Sequence, residues 1–269
     1  MNKIGTQTEI TSLSNIKIKA INSLSQRKYR NEQGLFIAEG IRVCKEALNN
    51  GWTFKYFLFD KSNDDNALIN ELINEVILKG GNAIGVTPDI LKKISHKDNP
   101  QNVLAVIEQK LNLLPENLNK DTFVALECVR DPGNLGTILR TMDAVGGKGC
   151  ILIDDCTDPF SYECVRASMG AIFNINIIKS SIDDFIHWKM KNKVSLIGTA
   201  LKHAEDYTKA KWNLPFVLAM GNEQKGLSGK MVSSCDQVIK MPMLGSSDSL
   251  NLAVSTGIAL YESIRKIPK

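Results

Sequence analysis

Apolar runs of about five residues recur down this chain, each followed by a turn and then a stretch with helical spacing. In the first part they are Leu35–Glu39, Phe54–Phe59, Asn82–Val86 and Val103–Glu108. In the second they are Phe123–Cys128, Cys150–Ile153, Phe173–Ile178, Val194–Thr199, Phe216–Met220 and Val238–Met241. A strand with one wet face would alternate apolar and polar residues. In the second part, short apolar strands alternating with helices imply a mostly parallel sheet covered on both faces, and the first part reads as a small alternating α/β unit. The helices expected between them are Gly40–Asn49, Asp65–Lys79, Pro88–Ile94, Tyr162–Met169, Ile182–Lys191 and Ser249–Lys266. The stretch after Gln109 is polar and broken by Pro115, which reads as a linker. The fold class is therefore α/β in two units: a smaller one over 1–110, a linker over 111–121, and a larger one over 122–269. Residues 1–15 are polar and expected to fray.

Composition narrows the function classes. No run of about 18 apolar residues occurs and the N-terminus lacks an apolar leader core, so no membrane partner and a cytoplasmic place are expected. The six cysteines include no CxxC pair and have no histidine at ligand spacing, so buried free thiols and no metal are expected. His96, His187 and His203 lie in unrelated contexts, which leaves no Ser/His/Asp set. The net charge of +4 is only mildly basic. The predicted helix Ile16–Arg30, however, carries Lys17, Lys19, Arg27, Lys28 and Arg30 with no acidic residue. Such a run is either a solvated face or a grip on a polyanion, and its composition alone leaves both open.

Three loops follow apolar strands, where ligands of parallel sheets collect. Asp131-Pro132-Gly133-Asn134-Leu135-Gly136 leads into a helix bearing Arg140. It is not a GxGxxG fingerprint. Gly221-Asn222-Glu223-Gln224-Lys225-Gly226 follows FVLAM. Gly245-Ser246-Ser247-Asp248-Ser249-Leu250-Asn251 leads into the last helix, with Ser249 suited to its N-cap. Taken singly, each polar residue here reads equally well as a cap or a solvated turn.

Together the loops resemble the three motifs of the SpoU (TrmH-like) branch of trefoil-knotted RNA ribose 2′-O-methyltransferases. The motifs read GNLGTILRTMDAVG, MGNEQKGL and MPMLGSSDSLNLAVSTGIALYE, in family order across about 122–266. The stretch LSQRKYRNEQGLFIAEGIRVCKEAL is similar, more loosely, to the L30e-like RNA-binding domain often fused to such enzymes. Met142 and Val145 depart from the family's small Ala and Phe, at packing positions. The resemblance implies a deep knot in the C-terminal sheet, a homodimer and S-adenosylmethionine as methyl donor. It implies a cofactor site at Thr199, Ala200, Gly221, Met241 and Leu250, and a catalytic set of Asn134, Arg140, Glu223, Ser249 and Asn251. Ribosomal RNA, most readily 23S, is the expected substrate, because a fused anchoring unit suits a large structured target. A tRNA enzyme, a methyltransferase conferring resistance to a ribosomal antibiotic, and a non-catalytic RNA-binding factor are the alternatives.

Overall fold

The computed structural model describes residues 4–63, 66–201 and 204–267. By its contacts the chain divides into two compact units, one of residues 1–110 with 160–173, the other of 111–159 with 174–269.

The first unit is a five-stranded sheet in the order β1-β4-β3-β5-β2. Its strands are β1 (Gln7–Ile10), β2 (Leu35–Glu39), β3 (Phe54–Asp60), β4 (Asn82–Val86) and β5 (Val103–Glu108). The first three in spatial order run parallel, and β5 lies antiparallel to both β3 and β2. The helices are α1 (Ile16–Ser23), α2 (Arg27–Gln33), α3 (Ile41–Asn49), α4 (Ala67–Leu78) and α5 (Pro88–Ser95). Ile18, Ile21 and Leu24 pack with Leu35, Leu58 and Val106 in one core. The expectation of fraying up to residue 15 is corrected: Gln7–Ile10 pairs with β4 in the register Gln7 to Ala83. The expected continuous helix 16–30 is also corrected. It breaks after Ser23, and the carbonyls freed there, Leu24 O and Ser25 O, accept from Arg30 Nη1 at 2.9 and 2.8 Å.

The second unit is a seven-stranded, all-parallel sheet in the order β10-β12-β9-β11-β6-β7-β8. Its strands are β6 (Thr122–Glu127), β7 (Gly149–Ile153), β8 (Asn176–Ser180), β9 (Ser195–Thr199), β10 (Glu205–Asp206), β11 (Phe216–Met220) and β12 (Gln237–Lys240). The remaining helices, counted in chain order, are α6 (Pro132–Ala144), α7 (Tyr162–Ala167), α8 (Ile182–Asn192), α9 (Gly229–Ser234) and α10 (Leu252–Lys266). β6, β7, β9 and β11 are apolar because helices and loops cover both faces. Phe123, Ile151, Phe185, Trp188, Leu196 and Val217 share one core cluster. Met142, a departure from the family motif, is buried in α6 and its Cε fills the space a side chain at Gly147 would take.

Two expected boundaries shift. The stretch 111–121 is part of the second unit, not a free linker. Asn112 bridges in parallel to Ile178, Pro115 O accepts from Trp188 Nε1 at 2.7 Å, and Leu114 and Leu118 pack on the core. The segment 160–173, expected within the second unit, packs in the first. Phe160 and Phe173 lie 4.9 and 6.2 Å from the Phe36 ring, Phe173 meets Trp52 edge-on at 5.2 Å, and Trp52 Nε1 donates to Phe173 O at 3.0 Å. Aromatic side chains bury large apolar areas wherever the chain can deliver them, without regard to sequence separation.

Candidate active site

The ends of β9, β11 and β12, with the loops that follow β11 and β12, enclose a cavity of about 800 Å³. All five expected cofactor residues line it: Thr199, Ala200, Gly221, Met241 and Leu250. Four of the five expected catalytic residues line it too, namely Asn134, Glu223, Ser249 and Asn251. Parallel strands deliver their carboxyl ends to one side of a sheet, which is why residues more than a hundred positions apart meet here.

Each loop is held by its own side chains. Asp131 caps α6, its Oδ1 accepting from Asn134 N at 3.0 Å. Asn222 Oδ1 accepts from Gln224 N and Lys225 N at 3.0 and 3.1 Å, and its Nδ2 donates to Cys128 O at 2.9 Å. Cys128 presents that carbonyl from a left-handed conformation, φ 53°, at the end of β6. Such a conformation is uncommon for a residue with a Cβ and is tolerated where neighbours over-determine it. The glycine at 221 has a reason that sequence reading missed. A Cβ there would meet the Gly226–Leu227 backbone at 2.1–2.4 Å. The space is used by the chain's own tight turn, in which Asn222 and Gly226 exchange backbone hydrogen bonds of 3.1 and 2.9 Å.

Between the loops runs a chain of polar contacts. Asn251 Nδ2 donates to Asn134 Oδ1 at 2.9 Å, and Asn134 Nδ2 donates to Glu223 Oε1 at 3.3 Å. Glu223 also accepts from Arg130 N and Asp131 N, both at 3.3 Å. One carboxylate thus gathers the start of α6, and one amide ties it to the start of α10. Asn251, not Ser249, is the N-cap of α10, its Oδ1 accepting from Ala253 N and Val254 N at 2.9 and 3.3 Å. Ser249 is left exposed at the cavity mouth.

Arg140 stands apart. It is exposed on α6, outside the cavity lining. It lies six residues beyond Asn134, which on a helix is roughly 9 Å along the axis and a third of a turn away. Of the expected RNA-binding residues, Lys17, Lys19, Arg27 and Lys28 are exposed. Arg30 is not: only 4 % of it is accessible and its guanidinium serves the carbonyls between α1 and α2. Lys28 has an acidic neighbour after all, Glu32, at 3.9 Å one turn on. Among the described residues no group of His, Cys, Asp or Glu is arranged to hold a metal ion. Nor is any helix among them long and apolar enough to cross a membrane. Burial pushes the Cys44 thiol up to about 12 and Cys156 to about 11.

The family model of the SpoU rRNA methylases matches residues 121–261. The chain belongs to the SpoU rRNA methylase family. Residues 15–105 match a second model, the MRM3-like substrate binding domain. A 23S rRNA (uridine(2479)-2′-O)-methyltransferase of Streptomyces viridochromogenes is 29 % identical over 90 % of this chain and 87 % of its own length. The 23S rRNA (guanosine(2553)-2′-O)-methyltransferase RlmP of Bacillus subtilis is 28 % identical over 94 % of this chain and 98 % of its own. The crystal structure of an AdoMet-bound rRNA methyltransferase from Sinorhizobium meliloti superposes with a TM-score of 0.91. It is 38 % identical and covers 98 % of this chain and 99 % of that one. The cofactor of the SpoU fold, S-adenosylmethionine, suits the cavity found here. Its volume is in the usual range for small-molecule sites, roughly 300–1,000 Å³. Met220, Leu227, Ile239 and Leu252 supply apolar walls, and strand ends supply backbone donors and acceptors, as an adenosyl group requires.

Proposed function

We propose that this protein transfers a methyl group from S-adenosylmethionine to a ribose 2′-hydroxyl of ribosomal RNA, 23S in particular. The observation that carries the reading is the Glu223–Asn134–Asn251 contact chain at the mouth of a cofactor-sized cavity, built from all three family motifs. Both full-length relatives described above are named as 23S rRNA 2′-O-methyltransferases, which supports the substrate.

The bound cofactor supplies a methyl group on a positively charged sulfur, already a good leaving group. What remains for the protein is alignment and the fate of the hydroxyl proton. Alignment is worth up to about 7–11 kcal/mol in favourable cases. Asn134 and Asn251 are fixed relative to each other and to Glu223, so they hold the target ribose at the cavity mouth. Ser249, exposed beside them, completes that hold. Arg140, exposed on α6 outside the lining of that cavity, acts as a clamp on the target phosphate. It is not the base, because a guanidinium stays protonated with a pKa above about 12. The proton leaves through the phosphate or water.

The reading includes a second copy of the chain. Val254, Ile258 and Tyr261 repeat at i, i+4 and i+7 along α10, and Val254 and Tyr261 are 51 % and 56 % exposed. An apolar stripe like this on the C-terminal helix suits a homodimer face. It includes the trefoil knot, supported by the insertion of β12 between β9 and β10 late in the chain. It also includes RNA contact by Lys17, Lys19, Arg27 and Lys28 of the first unit, and a cytoplasmic location with the substrate. The test is Arg140→Ala assayed on ribosomal RNA from cells lacking this protein. Methyl transfer should vanish while S-adenosylmethionine binds as before. Loss of cofactor affinity along with activity would move Arg140 from the reaction to the structure of the site.

A further inference from the structure

On the first unit a pocket of about 180 Å³ opens beside α1. Its floor is apolar and buried: Ile21, Leu24, Leu35 and Val106. Its rim is different in kind. Tyr56 forms one side, half-buried, with Lys17 Nζ 5.8 Å from its ring centroid. Lys55 and Gln33 stand exposed at the edge, and Ile16 projects beside them with 84 % of its surface accessible. None of the described lining residues is acidic.

These features fit one ligand chemistry. Lys55 is exposed at the rim and Lys17 Nζ lies over the Tyr56 ring, so both rim cations stand beside an apolar floor. An aromatic wall and an apolar floor accept a flat ring, and cations at the rim accept the charges on either side of it. The volume admits one ring system and excludes a helix. Sequence-tolerant RNA contacts are built in this way, from aromatic platforms and flanking lysines. We infer that this pocket takes one unpaired nucleobase of the substrate RNA, stacked on Tyr56, with the flanking phosphates on Lys17 and Lys55. Gln33 supplies an amide at the base edge. Its present hydrogen bond, to Ser23 Oγ at 3.4 Å, is long and easily released. The inference rests on the RNA-methyltransferase reading and adds to it a single-stranded element, distinct from the methylated nucleotide, that the enzyme recognises.

The experiment uses the full chain and ribosomal RNA from cells lacking it, with methyl transfer followed against RNA concentration. Tyr56→Leu keeps an apolar side chain on the core and removes the ring. It should raise the RNA KM by about tenfold, within the roughly five- to hundred-fold expected for one lost base stack. The kcat at saturating RNA and the affinity for S-adenosylmethionine should not move. Tyr56→Phe should stay within about twofold of wild type. Lys17→Gln with Lys55→Gln should raise KM and flatten its dependence on salt by about two phosphate contacts. In a second readout, RNA carrying 4-thiouridine should photo-crosslink to peptides containing Tyr56 or Lys17. A wild-type KM in Tyr56→Leu would overturn the inference whatever the double lysine variant does, because Lys17 is placed on RNA independently of the pocket. A wild-type protein inactive on RNA would instead overturn the enzyme reading, and this inference with it.

Discussion

Asn251 does two jobs with two ends of one amide, and substitutions separate them. Its Oδ1 caps α10 through Ala253 N and Val254 N, and its Nδ2 reaches Asn134 Oδ1 at 2.9 Å. Asn251→Ala removes both. Losing the cap costs about 0.5–2 kcal/mol, so amide exchange at Ala253 and Val254 should quicken by roughly two- to thirtyfold. Losing the second contact costs about 0.5–1.5 kcal/mol and lets Asn134 turn away from the target. Asn251→Asp keeps the cap, since aspartate caps as well as asparagine and its charge favours a helix N-terminus. It cannot donate to Asn134 Oδ1, and it sets two acceptors face to face. Exchange at Ala253 and Val254 should therefore match wild type while methyl transfer falls by about tenfold or more, as a loss of about 1.4 kcal/mol of alignment requires. Hydrogen exchange read by NMR, alongside a methylation assay on ribosomal RNA, measures both. If Asn251→Asp kept full activity, the Asn251–Asn134 contact would have no part in alignment. If it loosened the first turn as much as alanine, the capping account would be wrong.

Two further outcomes follow from the structure. Arg30→Ala strips the buried Leu24 O and the part-buried Ser25 O of a charged donor, and should destabilise the first unit by about 1–3 kcal/mol in urea unfolding, the cost of one unsatisfied buried group. An unchanged midpoint would return Arg30 to the surface set. Near the end of α10, Arg265 grips both oxygens of Glu262 at 2.8 and 2.6 Å and holds its carboxyl below the ordinary range. A carboxyl depressed in the folded state contributes stability above its unfolded pKa, about 4.3, and loses it as pH falls through the folded value. Wild type should exceed Arg265→Ala in stability at pH 7, and the gap should close below about pH 4. A gap that stayed constant down to pH 2 would show that the pair contributes no linkage.

The sheet of the second unit was legible in the sequence because its signal is local. Strands covered on both faces are apolar along their middles, and FVLAM or the FVAL of TFVALE shows this without any partner in view. The site was legible through its motifs, and four of the five expected catalytic residues meet at one cavity. What the sequence left open was geometric. A glycine signals a need for space, but not whose atoms fill it, and at Gly221 they belong to the chain's own turn. A basic run signals charge, but not that the arginine ending it turns inward to two carbonyls.

Sequence alone therefore determined most strands and helices, the parallel arrangement of the second unit's sheet and the chemistry of the loops, all of which depend on residue type and spacing over a few turns of chain. Tertiary structure alone decided that 160–173 packs in the first unit, that 111–121 is held by the second, and that Arg140 lies outside the cavity holding Asn134, Glu223 and Asn251. Those outcomes depend on which apolar and polar surfaces meet across long separations, and periodicity within a segment carries no information about its distant partner.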